Sequence, residues 1–222
     1  MMVLHLGLAK TGTSWLQQQV FPQMDIYYYN PGHYEVLTIP THTDKPTVIS
    51  FEGLSGTTYN NDRYILLYRL HKLFPNAKIL VTTRNKIRYI RSLYSQYIRG
   101  GGTQSLQWWS NYLFSHPYFM DWKLYFNQIQ KLWGTNNLLL LPLELLKQNY
   151  KQYLQQLCYY VGVPIPSNID RTPRNTGLDD KQCTRWKTIN QLYVSRWNDS
   201  GLLPKHLNPC WIYQKVIQYT KP

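Results

Sequence analysis

Acid is scarce in this chain. Eleven Asp and Glu stand against 24 Lys and Arg in 222 residues, giving a formal net charge of +13 and a pI near 9.6. The imbalance argues against cationic partners and for anionic ones: a phosphorylated cofactor, an acidic glycan, an anionic membrane or nucleic acid. Charged residues are also few overall, at 16%, and no long Lys/Arg block occurs. The basic character is therefore spread over the chain rather than carried on a tail, which disfavours nucleic acid. Cysteine is equally sparse: Cys158, Cys183 and Cys210 are far apart, odd in number and without a C-x-x-C pair. That pattern disfavours a zinc site or a disulfide framework and fits a reducing compartment. No segment reaches the roughly 18 apolar residues of a membrane span. The first apolar run starts at residue 2, leaving no room for a signal core, so the expected setting is cytoplasmic. Internal repeats and low-complexity linkers are missing too, and the length suits a single α/β domain over residues 1–222 with a sizeable core.

What is present centres on residues 2 to 22, MVLHLGLAKTGTSWLQQQVFP. Met2 to Leu8 read as a short buried strand. Gly7-Leu8-Ala9-Lys10-Thr11-Gly12-Thr13-Ser14 is a loop of glycines and hydroxyls, and Trp15, Leu16, Val20 and Phe21 have the apolar spacing of a helix starting near Thr13. Strand, glycine loop and helix N-terminus together make an anion site, because unpaired N–H groups converge with the positive end of the helix dipole. A nucleotide-triphosphate loop needs G-x-x-x-x-G-K-[ST]. Gly7 and Gly12 fit that frame, but Thr13 stands where the lysine should, and the loop's lysine is Lys10. A sulfuryl group carries less charge than a terminal phosphoryl group, so backbone dipoles and one lysine suffice to offset it without a metal.

Further along, Asp25 precedes Tyr27-Tyr28-Tyr29, a candidate strand closed by Asn30-Pro31-Gly32; an irregular stretch to Pro46 follows, carrying His33 and His42 and expected to lie over the site. Thr47 to Phe51 reads as a buried strand that delivers Glu52 to the rim where ligands collect in parallel sheets. A carboxylate there suits a general base; His33 and Asp25 are the alternatives. Residues 62–74 are expected to be a helix burying Ile65, Leu66, Leu70 and Leu73. Its connection to strand Ala77–Thr83 implies parallel pairing. Arg84 then ends that strand, with Ser92 eight residues on in the next helix: an arginine fork and a hydroxyl suited to one phosphate. Gly100-Gly101-Gly102 reads as a flexible break, Trp108 and Trp109 as aromatic packing or a sugar platform, Tyr118–Trp133 as a helix, and Asn137–Leu141 as a strand ahead of a structural Glu144. Tyr150–Val161 is a helix closed by Gly162, residues 164–178 a basic loop with Arg171 and Arg174, and Asp179–Trp197 a last long helix.

Three of these stretches resemble the sulfotransferases that use 3′-phosphoadenosine 5′-phosphosulfate (PAPS). KTGTSWL is similar to their K-[ST]-G-[ST]-[ST]-W-[LI] loop, and TRN with the following SLYSQY to their 3′-phosphate motif. W-G-x-x-N-L-L-L-L-P-L-E-L-L is similar to their last core strand. The resemblance implies a P-loop NTPase-like, three-layer α/β/α fold with a central parallel sheet. It implies that Lys10, Thr11, Gly12, Thr13 and Ser14 hold the 5′-phosphosulfate, with Trp15 supporting the adenine side. Arg84 and Ser92 would hold the 3′-phosphate, joined by Arg174 and more weakly Arg171 from a loop that lacks the family's R-K-G triplet. The base position carries Glu52 instead of the histidine of the cytosolic phenol-sulfating branch, which brings the chain nearer to bacterial and glycan-type members. A PAPS-dependent transfer without a metal, to a hydroxyl or amine and preferably a carbohydrate, follows. Two other readings stay open: a small-molecule P-loop kinase, and a non-enzymatic protein that binds a polyanion or nucleic acid.

Overall fold

Among the described residues, five short runs rich in leucine, β-branched residues or tyrosine form strands: β1 (Met2–His5), β2 (Tyr27–Tyr29), β3 (Thr47–Ser50), β4 (Lys78–Thr83) and β5 (Leu138–Pro142). They make one sheet of order β2-β3-β1-β4-β5, parallel at every pairing, with β1 in the middle. The computed structural model describes residues 1–30, 44–56, 62–116, 120–172, 177–209 and 212. His33, His42 and Arg174 lie outside them. The chain divides into two units, Met1–Asn85 with His116–Asn175, and Lys86–Ser115 with Thr176–Pro222.

The α-helices with described bounds are α1 (Thr13–Trp15), α2 (Asp62–Leu73), α3 (Lys86–Arg99), α4 (Leu106–Phe114), α5 (Trp122–Trp133), α6 (Leu143–Gln148), α7 (Tyr150–Val161) and α8 (Asp180–Asn190). The first unit holds the whole sheet. Side chains alternate along its strands, so Leu4, Ile49, Ile79 and Val81 pack on one face with Leu67 and Leu70 of α2 and Tyr125, Ile129 and Trp133 of α5. Val3, Val48 and Leu80 pack on the other with Leu16, Val20, Phe21 and the Tyr153, Leu154, Leu157 and Val161 stripe of α7. This is the expected three-layer arrangement. Each fully buried leucine, isoleucine or valine of these layers stabilises it by about 1.5–3 kcal/mol.

Three local expectations are corrected. Helix α2 buries Arg63, Leu67 and Leu70, whereas Ile65 and Leu73 are exposed. The helix turns its arginine inward because Nε of Arg63 donates to the Ser55 carbonyl (3.0 Å) and the guanidinium lies 4.7 Å from the Tyr125 ring centroid. The last long helix stops at Asn190 rather than Trp197. There the Asn198 amide donates to the carbonyls of Asn190, Gln191 and Tyr193 (3.0, 3.3 and 3.0 Å) and closes the helix end. Helix α5 begins at Trp122, where Oδ1 of Asp121 accepts from Leu124 N–H (2.8 Å).

In the second unit, the glycine break after α3 is a tied turn. Gly100, Gly101 and Gly102 N–H groups bond back to Gln96, Ile98 and Tyr97 carbonyls. Ser195 Oγ and Asn190 Nδ2 hold the Gly101 and Gly102 carbonyls (2.9 and 3.0 Å). Trp109 is buried against Tyr97, ring centroids 4.4 Å apart, while Trp108 is 42% exposed and stacks on Tyr112. Among the described residues, no helix is long and apolar enough to cross a membrane.

Candidate active site

The loop leaving β1 keeps the geometry its glycines dictate. A Cβ on Gly7 would lie 2.5 Å from Cγ2 of Thr13, so only glycine lets the first helical turn close over the strand end. Gly12 has φ 93° and a Cβ there would meet Leu143 Cδ1 at 2.8 Å. Lys10 itself sits at φ 65°, a left-handed conformation that costs a residue with a side chain about 1 kcal/mol or more. Left-handed residues at 10 and 12 give the curled backbone from which anion-binding nests of N–H groups are built. The loop then runs into α1, continued by one π-helical turn, Leu16–Val20, and a 3₁₀ turn, Phe21–Gln23; the π turn was not foreseen and is a widening often met beside functional loops.

Two neighbours hold the loop from outside. Nη1 of Arg84, at the end of β4, donates to the Lys10 carbonyl (3.0 Å), which fixes the strained residue. Ser55 Oγ, in the 3₁₀ turn Glu52–Ser55 after β3, shares its proton between the Glu52 carbonyl (2.9 Å) and the Gly7 carbonyl (3.1 Å). The bond to Gly7 sets the turn beside the loop and brings Glu52 within electrostatic reach of Lys10. The Glu52 residue keeps an exposed surface, yet the protein around its carboxyl desolvates it enough to raise the pKa, while the Lys10 charge pulls it back down. A cation and a carboxylate of raised basicity thus share the carboxyl-terminal rim of the sheet.

The other expected residues divide. Thr11 and Thr13 are buried, with Thr11 Oγ1 donating to the Leu8 carbonyl at 2.6 Å; Ser14 is half-buried at the start of the helix. Trp15 is buried, edge-on to Tyr150 and Tyr153, and its indole N–H donates to the Asp170 carbonyl (2.9 Å). It therefore braces the segment that carries Arg171, whose guanidinium stacks 4.1 Å from the Tyr150 centroid. Ser92 is a half-buried residue of α3, in the second unit, and Arg84 belongs to the first. Glu144 Oε1 accepts from Asn85 N–H (3.1 Å), a structural contact.

Asp25 is displaced from the chemistry. Tyr27 is level with Thr47, and Thr47 with Met2, so Asp25, two residues earlier, stands at the amino-terminal rim. That is on the order of 20 Å of extended chain from the loop. It pairs there with Lys45 at 2.6 Å, both exposed, and this removes it as a candidate base.

No protein-family model and no curated protein matches the sequence. Among solved structures, the chain is similar to a sulfotransferase from Alicyclobacillus acidocaldarius. The TM-score is 0.55 and the identity 16%, over 77% of this chain and 86% of that one. It is also similar to the mouse sulfotransferase SULT7A1 complexed with PAP, with TM-score 0.52 and 17% identity, covering 85% of this chain and 64% of the mouse protein. The fold is that of the sulfotransferases.

Within this sulfotransferase fold, several residues that make structural hydrogen bonds were not singled out in the sequence. Ser55 looked like part of a glycine turn, and Ser95, buried in α3, accepts from Leu178 N–H (2.7 Å) to secure the segment beside Gly177. His5 stands out as a polar residue between Leu4 and Leu6 in an otherwise apolar strand. That anomaly was the available signal for the buried chain of hydrogen bonds described below.

Proposed function

We propose that this protein is a PAPS-dependent sulfotransferase, the chain acting as one catalytic domain on a hydroxyl or amine acceptor, preferably of a carbohydrate. The observation that carries the reading is Lys10, in a loop that matches the phosphosulfate motif, within electrostatic reach of Glu52 at the end of the neighbouring strand β3. The donor set suits such a cofactor: a backbone nest, one lysine, the Arg84 guanidinium and hydroxyls, with no acid among residues 7 to 14.

Bound there, PAPS supplies the sulfuryl group. The backbone of Thr11, Gly12, Thr13 and Ser14 cradles its 5′ end, and Lys10 offsets the charge that grows on the leaving side. Arg84 and Ser92 take the 3′-phosphate, an assignment carried by their motif, with Arg174 or Arg171 as a further cation; Trp15 is a packed support for the adenine side. Glu52 accepts the acceptor's proton, its raised basicity serving that role; His33 is the reserve. Positioning and fixed charge do most of the work, as in phosphoryl transfer. The two described cysteines, Cys158 and Cys183, are buried thiols, which accords with a reducing, cytoplasmic setting.

An acidic carbohydrate acceptor is favoured by the net charge of +13. The test is transfer of radiolabelled sulfate from PAPS to a uronic-acid polysaccharide, a neutral oligosaccharide and a simple phenol. Label on either carbohydrate in preference to the phenol is expected. Preference for the phenol would overturn the acceptor, and no transfer to any of a wider panel of alcohols and amines would count against the enzyme.

A further inference from the structure

Beneath the loop, the sheet face that is apolar at Val48, Val3 and Leu80 turns polar one step further along each strand, at Ser50, His5 and Thr82. All three are fully buried. Nδ1 of His5 is 2.7 Å from Ser50 Oγ and Nε2 is 3.4 Å from Thr82 Oγ1; Thr82 Oγ1 is in turn 2.7 Å from Thr11 Oγ1. Thr11 Oγ1 donates to the Leu8 carbonyl, and Gln17 Nε2 donates to Ser50 Oγ (3.1 Å). The chain thus spans β3, β1 and β4 and ends at both sides on the loop and the helix it feeds.

A hydroxyl has one proton, and that fixes the direction of every bond. Thr11 spends its proton on Leu8, so it accepts from Thr82. Thr82 has then spent its own and accepts from His5 Nε2–H. Burial pushes the imidazole down to about 3, so the ring is neutral and Nδ1 is an acceptor. Ser50 donates to it and takes its own hydrogen bond from Gln17. Five groups donate in one sense along a single line, Gln17 to Ser50 to His5 to Thr82 to Thr11 to Leu8, and each bond polarises the next.

We propose that His5, as the Nε2-protonated tautomer, is a positioning residue for the anion loop: through Thr82 and Thr11 it fixes the turn at Leu8–Thr11 and so the aim of the loop's donors. The neighbouring positions on the same face are valine and leucine, and an apolar residue would fill the His5 site as readily if packing were its only task. A histidine supplies what an aliphatic side chain lacks, an acceptor and a donor on opposite edges of one rigid ring, matched to hydroxyls on both flanking strands. Thr11 follows Lys10 directly, so slack in Thr11 reaches the left-handed Lys10 and its neighbours at once.

The proposal rests on the sulfotransferase reading for its natural probe, adenosine 3′,5′-bisphosphate. The experiment measures bisphosphate affinity by calorimetry and melting temperature for wild type, His5→Leu, Thr82→Val, the double variant and His5→Gln. His5→Leu and Thr82→Val are each expected to weaken binding by about tenfold or more while the folded state persists at the assay temperature. The double variant should be no weaker than the worse single one, since both cut one chain. His5→Gln, which keeps an N–H near the Nε2 position, should recover most of the affinity. Undiminished affinity in folded His5→Leu, or losses that add in the double variant, would overturn the proposal; should His5→Leu not fold, Thr82→Val and His5→Gln decide it alone. If wild type fails to bind the bisphosphate, the functional reading is what has failed. The same variants are then titrated with inorganic sulfate and pyrophosphate: loss of that binding in Thr82→Val and His5→Leu upholds the positioning role, and its persistence overturns it.

Discussion

Lys10→Ala is expected to lower turnover by about 10³-fold, the scale of removing a preorganised charge from a site of charge development, and to weaken binding of adenosine 3′,5′-bisphosphate as well. Lys10 is the loop's lysine, and the nearby Arg84 donates to its backbone carbonyl. Losing the ammonium therefore leaves the loop with its dipoles and no positive side chain of its own. The left-handed φ of 65° is borne equally by lysine, alanine and methionine, so the loss reports the charge and not the backbone. Methionine should therefore behave like alanine, while arginine should recover part of the rate. Single-turnover kinetics and calorimetry on the three variants check this, and a methionine variant with wild-type turnover would remove Lys10 from the chemistry.

Glu52→Gln is expected to cost about 10²–10⁴-fold in turnover, the range of a lost general base, with bisphosphate affinity unchanged, since the role proposed for the carboxylate is toward the acceptor. The pH dependence gives the sign. A base works as the carboxylate, so the rate falls as pH drops through its pKa, and desolvation moves that acid limb upward from the ordinary Glu value. The Gln variant should lose the limb altogether. Lys10 holds the Glu52 pKa down, so in Lys10→Met the residual activity should show its acid limb displaced further upward. Near-normal turnover in Glu52→Gln would pass the role to another residue, with His33 first in line.

The strand, loop and helix at residues 2–23 were legible because everything that makes them is local: two glycines at fixed spacing, an apolar run before and an apolar stripe after. The same holds for β4 with Arg84, and for Gly162, which closes α7 in a left-handed conformation. What escaped was set by partners far along the chain. Nothing near His5 announces Ser50, 45 residues away, or Thr82, 77 residues away; the parallel pairing sets Ser50 level with His5 and Thr82 one step beyond it on the same face. Helix α2 misled because its apolar period points to Ile65 and Leu73, whereas the packed face is chosen by Arg63, satisfied by the Ser55 carbonyl and the Tyr125 ring. Asp25 failed for a topological reason: a residue just before a parallel strand stands at the rim opposite the loop. Glu52, just after one, stands beside it.

The measurement that tests the central claim most directly is calorimetric titration with adenosine 3′,5′-bisphosphate, beside ATP with Mg²⁺, of wild type and Arg84→Ala. Micromolar or tighter binding of the bisphosphate, lost in the variant and not matched by ATP, is the predicted result. Preference for ATP with Mg²⁺ would place the protein among kinases on a related loop, and binding of neither would contradict the cofactor assignment on which the whole account of the site depends.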